Sequence, residues 1–128
     1  MSLTAGSRLV VMAAPLGVWA LHFVLVYSLT GLACVEAGVT RYWLGVPAPR
    51  GALLLWTATA LLMVGGMGVL AWRERRRLSA QLSWADDSAR PALERKCFSA
   101  RVAVLLAAVA AVAIAFTIVP VFVLPDCT

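Results

Sequence analysis

The sequence predicts an all-α membrane protein, a single domain built as a bundle of three transmembrane helices. Of its 128 residues 62% are hydrophobic and 13% are charged, whereas roughly a quarter of the residues in a soluble domain are charged. The apolar residues also gather in three long runs without a charged side chain. A helix needs about 20 such residues to cross the hydrocarbon core. We therefore expect spans at about residues 9–35, 51–72 and 102–124.

The distribution of basic residues predicts the orientation. Eight of the eleven Lys and Arg residues lie in the segment 73–101, between the second and third spans. The loop between residues 35 and 50 carries two, and the C-terminal tail carries none. Loops rich in Lys and Arg stay in the cytoplasm. We therefore expect a cytoplasmic basic loop at 73–101, a cytoplasmic N-terminus and a C-terminus on the outer side.

A cluster of arginines opens this basic loop, and two interpretations of it stay open. The cluster consists of Arg73, Arg75, Arg76 and Arg77. It either fixes the topology alone or also attracts anionic lipid headgroups, at about 1 kcal/mol per charge. Four acidic residues accompany the eight bases of the segment 73–101, so the pattern does not favour a nucleic-acid partner.

Two proline-containing segments predict where helices begin and end. The first part of the basic loop continues the second helix, and Pro91 is well placed to begin the third helix below the membrane. The segment "GVPAPRG", residues 45–51, interrupts the helical pattern and is expected to form the outer loop before the second span.

Small residues recur along the third span and predict a helix contact. They stand at every fourth position, Ser99, Ala103, Ala107, Ala111 and Ala115. The second span offers a weaker counterpart in "VGGMG", with Gly65, Gly66 and Gly68. Helices in lipid associate by close backbone approach, which small side chains permit. The stripe is therefore expected to face another helix, within the chain or on a partner protein.

The three cysteines separate by predicted side of the membrane. Cys34 and Cys127 fall on the outer side, where a disulfide persists if that side is a bacterial periplasm, while Cys97 lies in the cytoplasmic loop. Either Cys34 and Cys127 are bonded to each other, or they are two unpaired thiols on one side. The spacing does not decide between these alternatives, because disulfide geometry is strict.

His22 is the chain's only histidine, and it stands inside the first apolar run, midway between Arg8 and Glu36. It is expected near the bilayer centre if the first helix is straight. An ionisable residue at this depth is by default a candidate functional site. Four roles stay open: a hydrogen bond to a neighbouring helix, a contact to a partner's polar group or a cofactor edge, an axial haem ligand, and a proton relay. No intramembrane carboxylate accompanies it to receive a proton.

The inventory of reactive residues predicts that the chain is not an enzyme. The sequence offers no paired carboxylates for acid–base chemistry, no Cys/His set for a metal, no serine–base pair and no glycine-rich phosphate loop.

The run "PLGVWALHFVLVYSLTGLAC", residues 15–34, resembles the first helix of small inner-membrane proteins of proteobacteria. The resemblance rests on a pattern of Pro, Trp, Ala, His, Tyr and Cys, which falls here on Pro15, Trp19, Ala20, His22, Tyr27 and Cys34. Such proteins are often encoded beside haem–copper terminal oxidases and their assembly factors. The resemblance implies a location in the bacterial inner membrane and an accessory or assembly role for an oxidase. With the orientation expected from the basic residues, the C-terminus is then periplasmic.

Three hypotheses about function follow, and they differ in class. The first is a non-catalytic accessory or assembly protein of a respiratory terminal oxidase, in contact with membrane lipid and with a larger membrane complex or a second copy of itself. The second is a small membrane cytochrome in which His22 binds haem or a quinone. The third is a homo-oligomeric pore.

Overall fold

The prediction of three helices long and apolar enough to span a membrane is confirmed in the computed structural model, which describes residues 5–35, 42–43 and 46–123. The helices are α1 (Ala5–Val35), α2 (Ala48–Leu82) and α3 (Arg90–Val123). A short antiparallel strand pair, β1 (Tyr42–Trp43) and β2 (Val46–Pro47), lies between α1 and α2.

The helices extend well beyond the predicted spans. α2 continues to Leu82 because residues 73–82 contain neither Pro nor Gly and are rich in strong helix formers. α3 begins at Arg90, beside Pro91, so residues 83–89 alone connect the two helices. The predicted continuation of the second helix into the basic loop and the predicted start of the third helix beside Pro91 are therefore both confirmed. The interruption predicted at residues 45–51 is shorter than expected, since α2 begins at Ala48 and Pro49 fits its first turn.

Each helix contributes one narrow buried face to the bundle. Positions spaced alternately by three and four residues lie on one side of a helix, and the buried residues follow that spacing. They are Pro15, His22 and Val26 on α1, Leu53, Thr57, Ala60, Val64 and Leu78 on α2, and Ala107, Ala110 and Ile114 on α3. The centre of the bundle is thus filled by small and β-branched side chains of α2 and α3, with part of α1 packed against them.

The helices run antiparallel in sequence order, which places charged residues at one end of the bundle. Arg8 near the start of α1, Gln81 near the end of α2 and Lys96 near the start of α3 line a common groove. We call this the basic end, and we call the end with β1 and β2 the hairpin end. α2 and α3 pack most extensively, and α1 contacts α3 more than α2. Large apolar side chains such as Leu62 and Phe116 point outward, as lipid contact requires.

Candidate functional site: the buried His22–Thr57 pair

The packing of α1 against α2 encloses the only histidine of the chain. His22 is 1% exposed and Thr57 is 6% exposed, and both lie on the buried faces of their helices. Val26 follows His22 by one turn of α1, and Leu53 precedes Thr57 by one turn of α2, and both are buried. The imidazole is therefore held between two helices and shielded from lipid.

A hydrogen bond joins the two side chains. The distance between His22 Nε2 and Thr57 Oγ1 is 3.0 Å. Thr57 Oγ1 also lies 2.8 Å from the carbonyl oxygen of Leu53, which can only accept. The threonine hydroxyl has one proton, and it donates that proton to Leu53. Thr57 Oγ1 is then the acceptor for His22, so Nε2 carries the imidazole proton and donates it. The geometry places a proton on Nε2, and because Nδ1 is buried without an acceptor among the described residues, the neutral tautomer with a bare Nδ1 fits the site.

Two polar atoms near this hydrogen bond have no partner among the described residues. They are Nδ1 of His22 and Nε1 of Trp19, both buried. Trp19 and His22 are three residues apart and so lie on the same face of α1. With Nε2 protonated, Nδ1 accepts and the indole N–H donates. The two atoms therefore have complementary roles.

Aromatic side chains follow Trp19 along α1 at every fourth residue, at Phe23 and Tyr27. The ring centroids of Trp19 and Phe23 are 6.1 Å apart, and those of Phe23 and Tyr27 are 4.4 Å apart. Such separations are typical of favourable aromatic pairs. Phe23 and Tyr27 are exposed. The three rings therefore connect the buried site with the lipid-facing surface of α1.

The pair does not lie at the midpoint between the ends of the bundle. At 1.5 Å per residue, His22 is about 21 Å along α1 from Arg8, and Thr57 is about 10 Å along α2 from Arg50. The two distances together match the thickness of a hydrocarbon core, about 30 Å. The site is therefore closer to the hairpin end than the position of His22 between Arg8 and Glu36 indicates.

The residues of the small stripe are divided between the interior and the surface. Ala107 is buried and Ser99, Ala103 and Ala111 are half-buried, whereas Ala115 is exposed. On α2, Gly65 and Gly66 are exposed and have open space where a Cβ would stand. The close contact falls at Gly68 instead, where a Cβ would lie 3.3 Å from Cβ of Ala107.

The predicted arginine cluster lies on the part of α2 beyond the second span. Arg73, Arg76 and Arg77 are exposed, and Arg75 is half-buried. Arg77 alone of the four lines the groove at the basic end. The possible bond between Cys34 and Cys127 stays a prediction, because Cys127 lies outside the described residues. Cys97 is a free, half-buried thiol.

No His, Cys, Asp or Glu cluster able to hold a metal ion occurs among residues 5–35 and 46–123. His22 is the candidate haem ligand, but its Nε2 already donates to Thr57. Ligation through that atom requires this hydrogen bond to break.

The three spans and the enclosed polar pair define a multi-pass α-helical membrane protein. No protein-family model, curated protein or solved structure matches this chain.

Thr57 is a site residue that the sequence patterns alone do not indicate. A hydroxyl-bearing partner for His22 was to be expected, because serine and threonine can serve a buried imidazole. The second span contains both Thr57 and Thr59, however. Which of the two contacts His22 depends on the rotation of α2 about its axis.

Proposed function

We propose that the chain is a non-catalytic accessory or assembly protein of a respiratory terminal oxidase in the bacterial inner membrane. The observation that carries the non-catalytic role is the hydrogen bond between His22 Nε2 and Thr57 Oγ1. It uses the one ionisable side chain of the apolar core as a contact between helices. A buried imidazole with a protein partner stabilises a bundle, whereas a catalytic group needs access to a substrate.

The outer surface of the bundle supports a role within the membrane plane. Large apolar side chains are exposed on all three spans, including Leu21, Leu62 and Phe116. Lipid or the spans of a larger membrane protein can cover such a surface. Ala115, the last residue of the small stripe, lies on this outer surface, where a partner helix can approach closely.

The respiratory assignment rests on the resemblance of residues 15–34 to small proteobacterial inner-membrane proteins encoded beside haem–copper oxidases. The orientation proposed with it places the basic end in the cytoplasm and the hairpin end in the periplasm. The excess of Arg and Lys between residues 73 and 101 supports that orientation.

A pull-down from native membranes tests the proposal. The tagged protein is extracted in a mild detergent, and the eluate is analysed by mass spectrometry, with an unrelated tagged membrane protein of similar size as the control. We expect oxidase subunits, or a factor that inserts copper or haem, to be enriched over the control. Elution of the protein alone contradicts the accessory role. A Soret band on that solitary protein then indicates the cytochrome, and vesicle permeabilisation indicates the pore.

A further inference from the structure

A groove at the basic end combines an apolar floor with unpaired positive charge. It has a volume of about 700 Å³, within the range of small-molecule sites, about 300–1,000 Å³. All three helices line it, and ten of its sixteen lining residues are apolar. Leu70 and Val11 in its wall are 66% and 60% exposed. The groove is therefore open sideways, toward the region that lipid occupies.

The charged side chains of the groove come from three different helices. They are Arg8 of α1, Glu74 and Arg77 of α2, and Lys96 of α3, so the net formal charge is +2. Among the described residues none of the four forms an ion pair, whereas Arg90 is paired with Asp87. Three cations thus face a single carboxylate in the groove, and an anion bound there offsets the excess positive charge.

Polar and apolar residues are separated along the axis of the groove. The apolar residues reach Met67 on α2, about 15 Å along the helix from Arg77. Pro15 on α1 and Ala103 on α3 line the same deeper part. A ligand that fits both parts has an anionic head and an apolar tail several carbons long.

We propose that this groove is a binding site for one anionic phospholipid, with its phosphate among Arg8, Arg77 and Lys96 and an acyl chain along the apolar floor. The proposal goes beyond the accessory role and does not depend on it. A specific site differs from the general attraction of a basic surface, which every arginine of the basic end supplies.

Native mass spectrometry of the purified full chain tests the site by titration with phosphatidylglycerol or with phosphatidylethanolamine of the same acyl chains. We expect one phosphatidylglycerol to bind at least about tenfold more tightly than phosphatidylethanolamine. Each basic residue near a membrane surface contributes about fivefold to affinity for anionic lipid. Replacement of Arg8, Arg77 and Lys96 by Gln should therefore weaken phosphatidylglycerol binding by up to about a hundredfold.

A matched variant separates the groove from general charge. Replacement of Arg73, Arg76 and Arg101 by Gln removes the same three charges from residues that do not line the groove. We expect this variant to retain phosphatidylglycerol far better than the groove variant, because the removed charges do not line the groove. Equal losses in the two triple variants contradict the proposal, because binding then follows total charge. Equal retention also contradicts it.

A second pair of variants tests the apolar floor without a change of charge. Ala100 lines the groove, whereas Ala108 of the same helix is exposed elsewhere. Ala100→Trp should exclude the bound lipid, and Ala108→Trp should leave it in place. Retention of the lipid by Ala100→Trp contradicts the site. Displacement of the lipid by millimolar inorganic phosphate also contradicts it, because the anion alone then suffices.

Discussion

His22 illustrates how a membrane-spanning helix accommodates an ionisable side chain. A buried polar group without a partner costs several kcal/mol in a bilayer. The imidazole reduces that cost because it can remain neutral and donate from Nε2 to Thr57. Thr57 can accept because its own proton goes to the carbonyl oxygen of Leu53. Two hydrogen bonds thus fix the tautomer of one side chain.

A double-mutant cycle should detect the His22–Thr57 contact. Thr57→Val removes the acceptor and leaves the imidazole N–H unpaired, and His22→Ala removes the donor. We expect a coupling free energy of about 0.6 kcal/mol, and at most about 1.7 kcal/mol, the range of hydrogen bonds between membrane helices. The measurement is the free energy of unfolding of the two single variants and the double variant in a detergent titration.

Thr59 provides the matched control for this cycle. Its hydroxyl donates to the carbonyl oxygen of Leu55 at 2.9 Å, as Thr57 does to Leu53, but Thr59 is exposed. Thr59→Val should therefore show no coupling with His22→Ala. A coupling as large as that of Thr57 would mean that the cycle reports a general weakening of α2.

The sequence predicted which residue needs a partner, and it did not predict which residue is the partner. The position of His22 in an apolar run indicated a polar contact, because a lone imidazole in lipid has nothing to bond with. Thr57 and Thr59 are chemically identical and two residues apart, so they lie on different sides of α2. The choice between them depends on how α2 is rotated against α1, which packing along the whole helix decides.

At the scale of the element, the interface between α2 and α3 shows why a four-residue repeat does not define a buried seam. Four residues turn a helix by 400°, so each step of the repeat moves about 40° around the axis. From Ser99 to Ala115 the accumulated rotation is about 160°. This rotation accounts for the exposure of Ala115. The buried residues Ala107, Ala110 and Ile114 follow spacings of three and four instead.

Gly68 is the position where a larger side chain should separate α2 from α3. A Cβ there would lie 3.3 Å from Cβ of Ala107, so Gly68→Leu places a branched side chain inside the interface. We expect Gly68→Leu to reduce the free energy of unfolding by about 1–3 kcal/mol, as overpacking does. Gly66→Leu adds the same atoms where space is open and should be neutral or slightly stabilising. Comparable losses in both variants would contradict the assignment of the close contact to Gly68.

Sequence patterns at the element scale predicted the helices better than their contacts. Charge-free runs identified all three spans, because bilayer thickness imposes a minimum length on each helix. The continuation of α2 beyond its span was predicted as well, because charged residues stop a membrane span without stopping a helix, but the exact end of α2 was not. α2 continues through Arg73, Arg75, Arg76 and Arg77 to Leu82. The groove was not predictable either, because Arg8, Arg77 and Lys96 are distant in sequence and only the antiparallel arrangement brings them to one end.

At the scale of the whole molecule, this arrangement has a testable consequence for orientation. We predict that the basic end faces the cytoplasm. In a chain whose native cysteines are replaced by serine, Ser88→Cys should react with a membrane-impermeant maleimide only after the inner membrane is permeabilised. Thr40→Cys, in the predicted outer loop, should react in intact spheroplasts. The reversed pattern would place the basic end outside.

The parts of α2 and α3 beyond their spans determine how far the loop between these helices, residues 83–89, stands above the bilayer. Charge begins at Arg73, and Leu82 lies nine residues further, about 14 Å along the axis when α2 stands upright. The headgroup layer on one side of a bilayer is only about 5–8 Å thick. Trp84, which is 90% exposed at the tip, therefore stands in water beyond the headgroups. A soluble domain that contacts this indole would therefore bind at a fixed distance above the membrane surface.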